Sequence, residues 1–318
     1  MDFFTFVFRT FAADFRILYK NLNRNHEQHK RLYIRGSFFL HFGLAPFFTI
    51  ALLASGFSSF EVLAYRWGIA SLTLGIFGVL LRETFRISRK DWGTVFVLSL
   101  LRAATSLSLV IAYQHIASGV ASTIHFMYPL AVALAMMFFF REKKSFSILF
   151  AVLVSLAGAA LLSSGEIDFK GGNTTTGLIA ATLSVFFYGG YIVGVRKSRA
   201  VHIPSTALTC YVMGLGALFF IIGGSLTGGI QLATGGQTWL NIFGLALPAT
   251  AISNITLVKA IKYIGPTLTS IFGALEPLTA VTIGCLVFKE SFTLGSGLGI
   301  LLILMAVTVV IMHEKKTS

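Results

Sequence analysis

The chain has 318 residues, 55% of them hydrophobic and only 12% charged, and its mean hydropathy is +0.82. A soluble protein of this length cannot use so much apolar surface, because its exterior must face water; here apolar runs of about 20 residues recur from end to end, each the span of a ~30 Å hydrocarbon core. The formal net charge of +13 does not indicate nucleic acid, because the basic residues lie between the apolar runs rather than on one face.

In chain order, residues 1–32 come first. Phe4, Phe8, Phe11, Phe15 and Leu18 recur at helical spacing with Arg9, Arg16 and Lys20 between them. That pattern predicts a cytoplasmic or interfacial amphipathic helix, with a poorly ordered segment as the alternative. No positive region precedes an uninterrupted apolar core, so the stretch does not read as a signal peptide. Ten spans follow, at about 33–55, 60–81, 92–114, 118–140, 146–164, 177–195, 206–226, 239–260, 267–288 and 292–312. The expected fold is an all-α membrane protein with ten transmembrane helices. An even number of crossings puts both termini on one side. Of the 25 Lys and Arg residues, 21 fall on that side, whereas only Lys170 and Lys289 fall on the other and Arg66 and Arg102 lie within spans. The positive-inside rule therefore places both termini in the cytoplasm, with residues 165–176 as an external linker and 313–318 as a cytoplasmic tail. Cys210 and Cys285 both fall inside spans and read as small core residues, not as a disulfide or metal site.

The chain repeats itself. Shifted by 148 residues, "STIHFMYPLAVALAMMFFFREKK" meets "TSIFGALEPLTAVTIGCLVFKES", with Pro129 on Pro277, Leu130 on Leu278, Phe140 on Phe288 and Glu142 on Glu290. Upstream, Leu109, Val110, Ala112 and Ile116 of "SLSLVIAYQHI" fall on Leu257, Val258, Ala260 and Ile264 of "NITLVKAIKYI". Residues 33–164 and 177–312 then form two repeats of five spans. Five is odd, so the second copy enters the membrane upside down, an arrangement typical of secondary transporters that alternate access around a central site.

Ten helices in two inverted halves resemble the drug/metabolite transporter superfamily, specifically its EamA-type family. The resemblance rests on "EVLAYRWGIASLTL" (Glu61–Leu74), which looks like the family's second-helix arginine motif. It rests also on "MYPLAVALAMMFFFRE" (Met127–Glu142) and "LEPLTAVTIGCLVFKE" (Leu275–Glu290), which look like its proline-to-glutamate blocks. It implies a multi-pass transporter of the bacterial cytoplasmic (inner) membrane, usually an exporter of amino acids or other small metabolites. It names no substrate.

Of six prolines, Pro46, Pro129, Pro248 and Pro277 interrupt spans 1, 4, 8 and 9. Each frees a carbonyl that needs another partner in lipid, and broken spans are expected where backbone lines a cavity. Bending of packed helices is the plainer alternative. In span 6, Gly189-Gly190 of "FYGGY" offers similar pliability. Arg102 and Glu276 are the costly groups at mid-depth, at least ~2.5 kcal/mol each on insertion scales. Either Arg102 attracts an anion while Glu276 binds an ammonium group or a coupling proton, or the two are structural, paired with each other or with freed backbone. His41 and His125 are candidate proton carriers, with hydrogen-bonded packing as the alternative. Tyr128, which is the mate of Glu276, and Tyr188 offer aromatic faces with polar tips. Asn254 and Ser270 are smaller cavity candidates or interhelical glue. Arg66 reads as structural, snorkelling or fixing backbone, and "GSGLG" (Gly295–Gly299) as a close-packing site in span 10.

HExxH, CxxC, Walker A and dinucleotide glycine patterns are missing from the sequence, so neither an enzyme nor a cofactor or metal site is indicated. Uphill movement would borrow a gradient, most plausibly of protons. The leading expectation is a secondary transporter exporting small metabolites by alternating access, as a monomer or homodimer. An uptake permease or lipid-carrier flippase of the same fold stands second, and a membrane-embedded enzyme or scaffold third.

Overall fold

Apolar sequence in hydrocarbon has to satisfy its own backbone, and the helix does so within one segment. The computed structural model describes residues 45–116, 118–141, 146–163, 172–273 and 294–317, and these residues contain no strand. The helices are α1 (Ala45–Ala54), α2 (Ser59–Leu80), α3 (Trp92–His115), α4 (Ser118–His125), α5 (Tyr128–Phe139) and α6 (Phe146–Ser163). After the linker come α7 (Thr174–Lys197), α8 (Ser205–Thr227), α9 (Gly236–Ala246), α10 (Ser253–Ile264), α11 (Pro266–Gly273) and α12 (Leu294–Thr317). Six helical stretches among the described residues are long and apolar enough to cross a bilayer: Ser59–Leu80, Arg89–His115, Val120–Phe139, Thr174–Lys197, Ser205–Thr227 and Gly236–Ile264. His41, Glu276 and Pro277 lie outside the described residues.

The chain divides into two units, one of residues up to 100 with 199–260, the other of 101–198 with 261 onward. In the first unit α2 packs antiparallel to α8. Ser71 donates to the Cys210 carbonyl at 2.9 Å, and the Trp67 indole meets Phe220 edge-on at 5.3 Å. Gly216 has to be glycine there, because a methyl on it would overlap the Trp67 ring. The start of α2 is fixed by a capping box. The Ser58 hydroxyl accepts from the Glu61 N–H at 3.3 Å, and the Glu61 carboxylate accepts from the Ser58 N–H at 2.7 Å. The second Glu61 oxygen accepts from the Gln231 N–H at 2.7 Å, which ties the loop between α8 and α9 to this helix end. Tyr65 adds to the tie, donating to the Gln231 carbonyl and accepting from the Ala233 N–H.

Between α9 and α10, residues Leu247–Ile252 wind as a π-helical turn around Pro248. Proline has no N–H to return, and the wider turn re-bonds the backbone through side chains. Thr250 donates to the Leu245 carbonyl at 2.7 Å, and Asn254 Nδ2 donates to the Thr250 carbonyl at 2.8 Å. Arg66 is buried, and its Nε donates to Thr250 Oγ1 at 2.6 Å. It therefore does not snorkel; it holds the π turn through a threonine.

In the second unit α5 runs parallel to α7, α11 lies against both, and α6 packs antiparallel to α12. The α6–α12 contact is close because it is made of glycine: a β-carbon on Gly158 would lie 2.8 Å from the Gly299 carbonyl oxygen and 2.8 Å from Ile303. Small residues bring helices together where lipid offers no hydrophobic drive for association. α7 is capped by Asn173, whose side chain accepts from the Thr176 N–H at 3.2 Å. It then continues through Gly189 and Gly190 without interruption.

Gly158→Leu is expected to wedge α6 from α12 and lower stability by about 1–3 kcal/mol. Gly93→Ala, where an added methyl meets nothing within 4 Å, should leave the unfolding midpoint unchanged or raise it. Thermal unfolding of the two purified variants in detergent checks the contrast.

Candidate functional site

Ser184, Tyr188 and Tyr191 recur at i, i+4 and i+7 on α7, which puts them on one helical face. All three are buried. Arg102 of α3, 4% exposed in a span expected to cross hydrocarbon, lies over this face. Its guanidinium carbon is 5.0 Å from the centroid of the Tyr188 ring and 5.8 Å from that of Tyr191. Ring faces attract a cation electrostatically, and when desolvated such contacts are worth about 2 kcal/mol. Nη1 of Arg102 also reaches Ser106, one turn on, at 3.4 Å.

The break between α4 and α5 brings two more residues to the same place. Pro129 cannot donate to the carbonyl four residues back, and the helix is interrupted at Phe126–Met127. His125, ending α4, stacks on Tyr188 with centroids 5.3 Å apart, and Tyr128, beginning α5, meets Tyr188 edge-on at 4.6 Å. His125 Nδ1 lies 2.8 Å from Ser184 Oγ. The serine gives its one proton to the Ala181 carbonyl at 2.6 Å, so it can only accept from the imidazole. That arrangement favours the tautomer with the proton on Nδ1 and leaves Nε2 as the acceptor nitrogen. Arg102, His125, Tyr128 and Tyr188 are thus brought together, joined by Tyr191 and Ser184, which the sequence reading had passed over although their spacing with Tyr188 was a usable signal.

Three other candidates have local partners or positions of their own. Ser270, in the same unit, donates to the Thr267 carbonyl of its own helix at 2.8 Å. Asn254 belongs to the first unit and bonds across the π turn. Pro46 lies in α1 of the first unit, and the residues before Ala45 lie outside the described ones. Among the described residues no group of three or more His, Cys, Asp or Glu side chains is placed to hold a metal.

Comparison with known proteins places this arrangement. The model of the EamA-like transporter family matches residues 36–164 and again 175–312. The chain belongs to the EamA-like transporter family. It is 24% identical over 232 residues to the uncharacterised inner membrane transporter YicL of Salmonella typhimurium, covering 73% of this chain and 77% of that protein. An uncharacterised transporter of Archaeoglobus fulgidus is 25% identical over 240 residues, covering 74% and 81%. The uncharacterised transporter YdfC of Bacillus subtilis is 25% identical over 247 residues, covering 77% and 79%. A solved crystal structure superposes with a TM-score of 0.69 over 86% of this chain and 96% of that one, at 16% identity, which shows a shared fold. This EamA-like transporter is a multi-pass membrane protein, and its buried cation, histidine and tyrosines are set in a span-forming environment.

One contact in the cluster is tight enough to test by itself. A methyl built on Gly273, at the end of α11, would overlap the Tyr128 hydroxyl. Gly273→Ala should destabilise the protein by about 1–3 kcal/mol. Adding Tyr128→Phe removes the obstructing oxygen and should recover at least about 0.5 kcal/mol of that loss in a double-mutant cycle followed by thermal unfolding.

Proposed function

We propose that this EamA-like transporter exports a small polar or amphipathic metabolite, of the amino-acid kind, across a bacterial cytoplasmic membrane by alternating access, drawing on a proton gradient. Ten spans form two inverted five-span repeats with both termini in the cytoplasm. The observation that carries the reading is the buried Arg102 guanidinium lying over Tyr188 and Tyr191 beside His125. Arginine is always charged, so this cluster presents a permanent cation to a substrate carboxylate. Aromatic faces line the remainder of such a pocket, and His125 Nε2 is a proton position beside it. Inversion is supported by the double family match and by the packing of repeat mates. The second and seventh spans, α2 and α8, run oppositely, as do the fifth and tenth, α6 and α12. A helix and its mate must run oppositely if the second copy is upside down. A relative named as an inner membrane transporter supports the choice of membrane.

Counterflow and efflux of amino acids and other small metabolites from proteoliposomes test the proposal. Arg102→Gln should weaken transport of anionic and zwitterionic substrates about tenfold or more, while cationic substrates are affected less; an equal loss for both would assign Arg102 to packing. Glu276→Gln should abolish or uncouple transport in a protein that still inserts and folds. Normal transport with unchanged pH dependence would remove that carboxylate from the mechanism.

A further inference from the structure

We propose that the outer face of α5 and α7 carries a binding groove for an anionic phospholipid, which takes one acyl chain along the groove and the phosphate at its basic end. The proposal rests on the membrane-spanning reading but not on any transported substrate. The groove encloses about 470 Å³, a size typical of ligand clefts. Its floor lacks side chains: Gly189, Gly190 and Gly194 of α7 face Ala131 and Ala135 of α5. Phe139 and Phe186, both largely exposed, stand along it. An exposed apolar groove on transmembrane helices lies against acyl chains, and its depth between two parallel helices fits one chain rather than a flat lipid layer. From Gly189 to Lys197 the helix rises about 12 Å, close to the ~15 Å of one leaflet.

Charge is found at one end only. Lys197 and Ser198 close the groove, and Lys197 Nζ lies 5.1 Å from the Phe140 ring, which holds the cation over the groove mouth. Arg196 is the next residue, its Nη1 fixed on the Lys262 carbonyl at 2.7 Å. The end of the groove therefore carries the Lys197 cation, with Arg196 beside it in sequence but outside the lining, and no described carboxylate among its lining residues. It is also the end that the distribution of basic residues assigns to the cytoplasmic face, where anionic headgroups and basic pockets between transmembrane helices meet. The opposite face of α7 carries Tyr188 and Tyr191. A lipid seated here clamps α5 against α7, the two helices that hold Tyr128 and Tyr188 in edge-on contact.

Full-length protein, purified and delipidated in mild detergent, is titrated with phosphatidylglycerol, with phosphatidylcholine of the same acyl chains, and with glycerol phosphate. Bound lipid is counted by native mass spectrometry and thermal unfolding is followed in parallel. Phosphatidylglycerol is expected to remain bound and to raise the unfolding midpoint more than phosphatidylcholine. Lys197→Gln should lower retention of phosphatidylglycerol about fivefold, the worth of one lysine near an anionic surface. Ala135→Phe narrows the groove from the α5 side, where Ala135 lines it, and both lipids should be lost. Equal retention of both lipids by the wild type and Lys197→Gln overturns the proposal, and so does stabilisation by glycerol phosphate alone that matches the lipid. Because lipid retention is read directly, failure here is separate from failure of the transport assays.

Discussion

Hydrocarbon offers a side chain no hydrogen bond, so each hydroxyl or guanidinium inside a span has to find its partner within the protein. Most threonines solve this locally. Thr73, Thr105, Thr182, Thr209 and Thr256 each donate to the carbonyl four residues back on their own helix. A hydroxyl satisfied that way adds little to the contact between helices. Ser71 and Ser99 do the opposite and donate to the Cys210 and Val212 carbonyls of α8, binding α2 and the start of α3 to it. Arg66 needs more than one backbone acceptor can offer, and it is accommodated on Thr250, whose own proton already goes to Leu245. The same constraint thus selects which polar residues hold helices together and which are merely tolerated.

Proline provokes two different answers to that constraint. At Pro129 the helix stops and restarts, and the residues on either side of the gap, His125 and Tyr128, both turn to Tyr188. At Pro248 the helix widens into a π turn, and Thr250, Ser253 and Asn254 rebuild the missing backbone bonds. The difference follows from what lies nearby. The sequence after Pro248 supplies three short polar side chains within six residues, whereas Leu130 to Phe140 supplies none. One break is closed by packed rings, the other by short polar side chains. Polar residues close to a span proline therefore argue for repair before they argue for function.

Helix limits were legible in the sequence because bilayer thickness fixes them. The run 60–81 became Ser59–Leu80, 206–226 became Ser205–Thr227, and 92–114 became Trp92–His115. The site was legible only in part. Arg102, His125, Tyr128 and Tyr188 attract notice one at a time, as polar groups costly or unusual at their depth. Periodicity gives the face on which a residue lies but not the helix that face meets, so their convergence needed coordinates. Tyr191 was missed although it shares the face of Tyr188, because a second tyrosine reads as packing until a cation is seen above both. For Ser270, composition cannot reveal that its proton goes to Thr267 on the same helix. Gly189-Gly190 has a structural use that the sequence did not suggest. Glycine pairs loosen a helix in isolation, but these occupy a continuous helix where missing side chains make room instead.

The 148-residue shift gives the cluster a further meaning. It relates His125 to Gly273 and Tyr128 to Glu276. Had the halves remained alike, a histidine would stand where Gly273 stands, and the Tyr128 hydroxyl would have nowhere to go, since even a methyl there collides with it. The glycine at 273 and the tyrosine at 128 therefore fit as a pair: the Tyr128 hydroxyl occupies the space that a side chain at 273 would need. Once the tyrosine is in place it supports Tyr188, and Tyr188 supports the guanidinium of Arg102. An arginine held on ring faces keeps its full positive charge, which a carboxylate beside it would cancel. The fit of Tyr128 against Gly273 and the contact of Arg102 with Tyr188 thus belong to one packed arrangement, in which the cation is held by ring faces rather than by a described carboxylate.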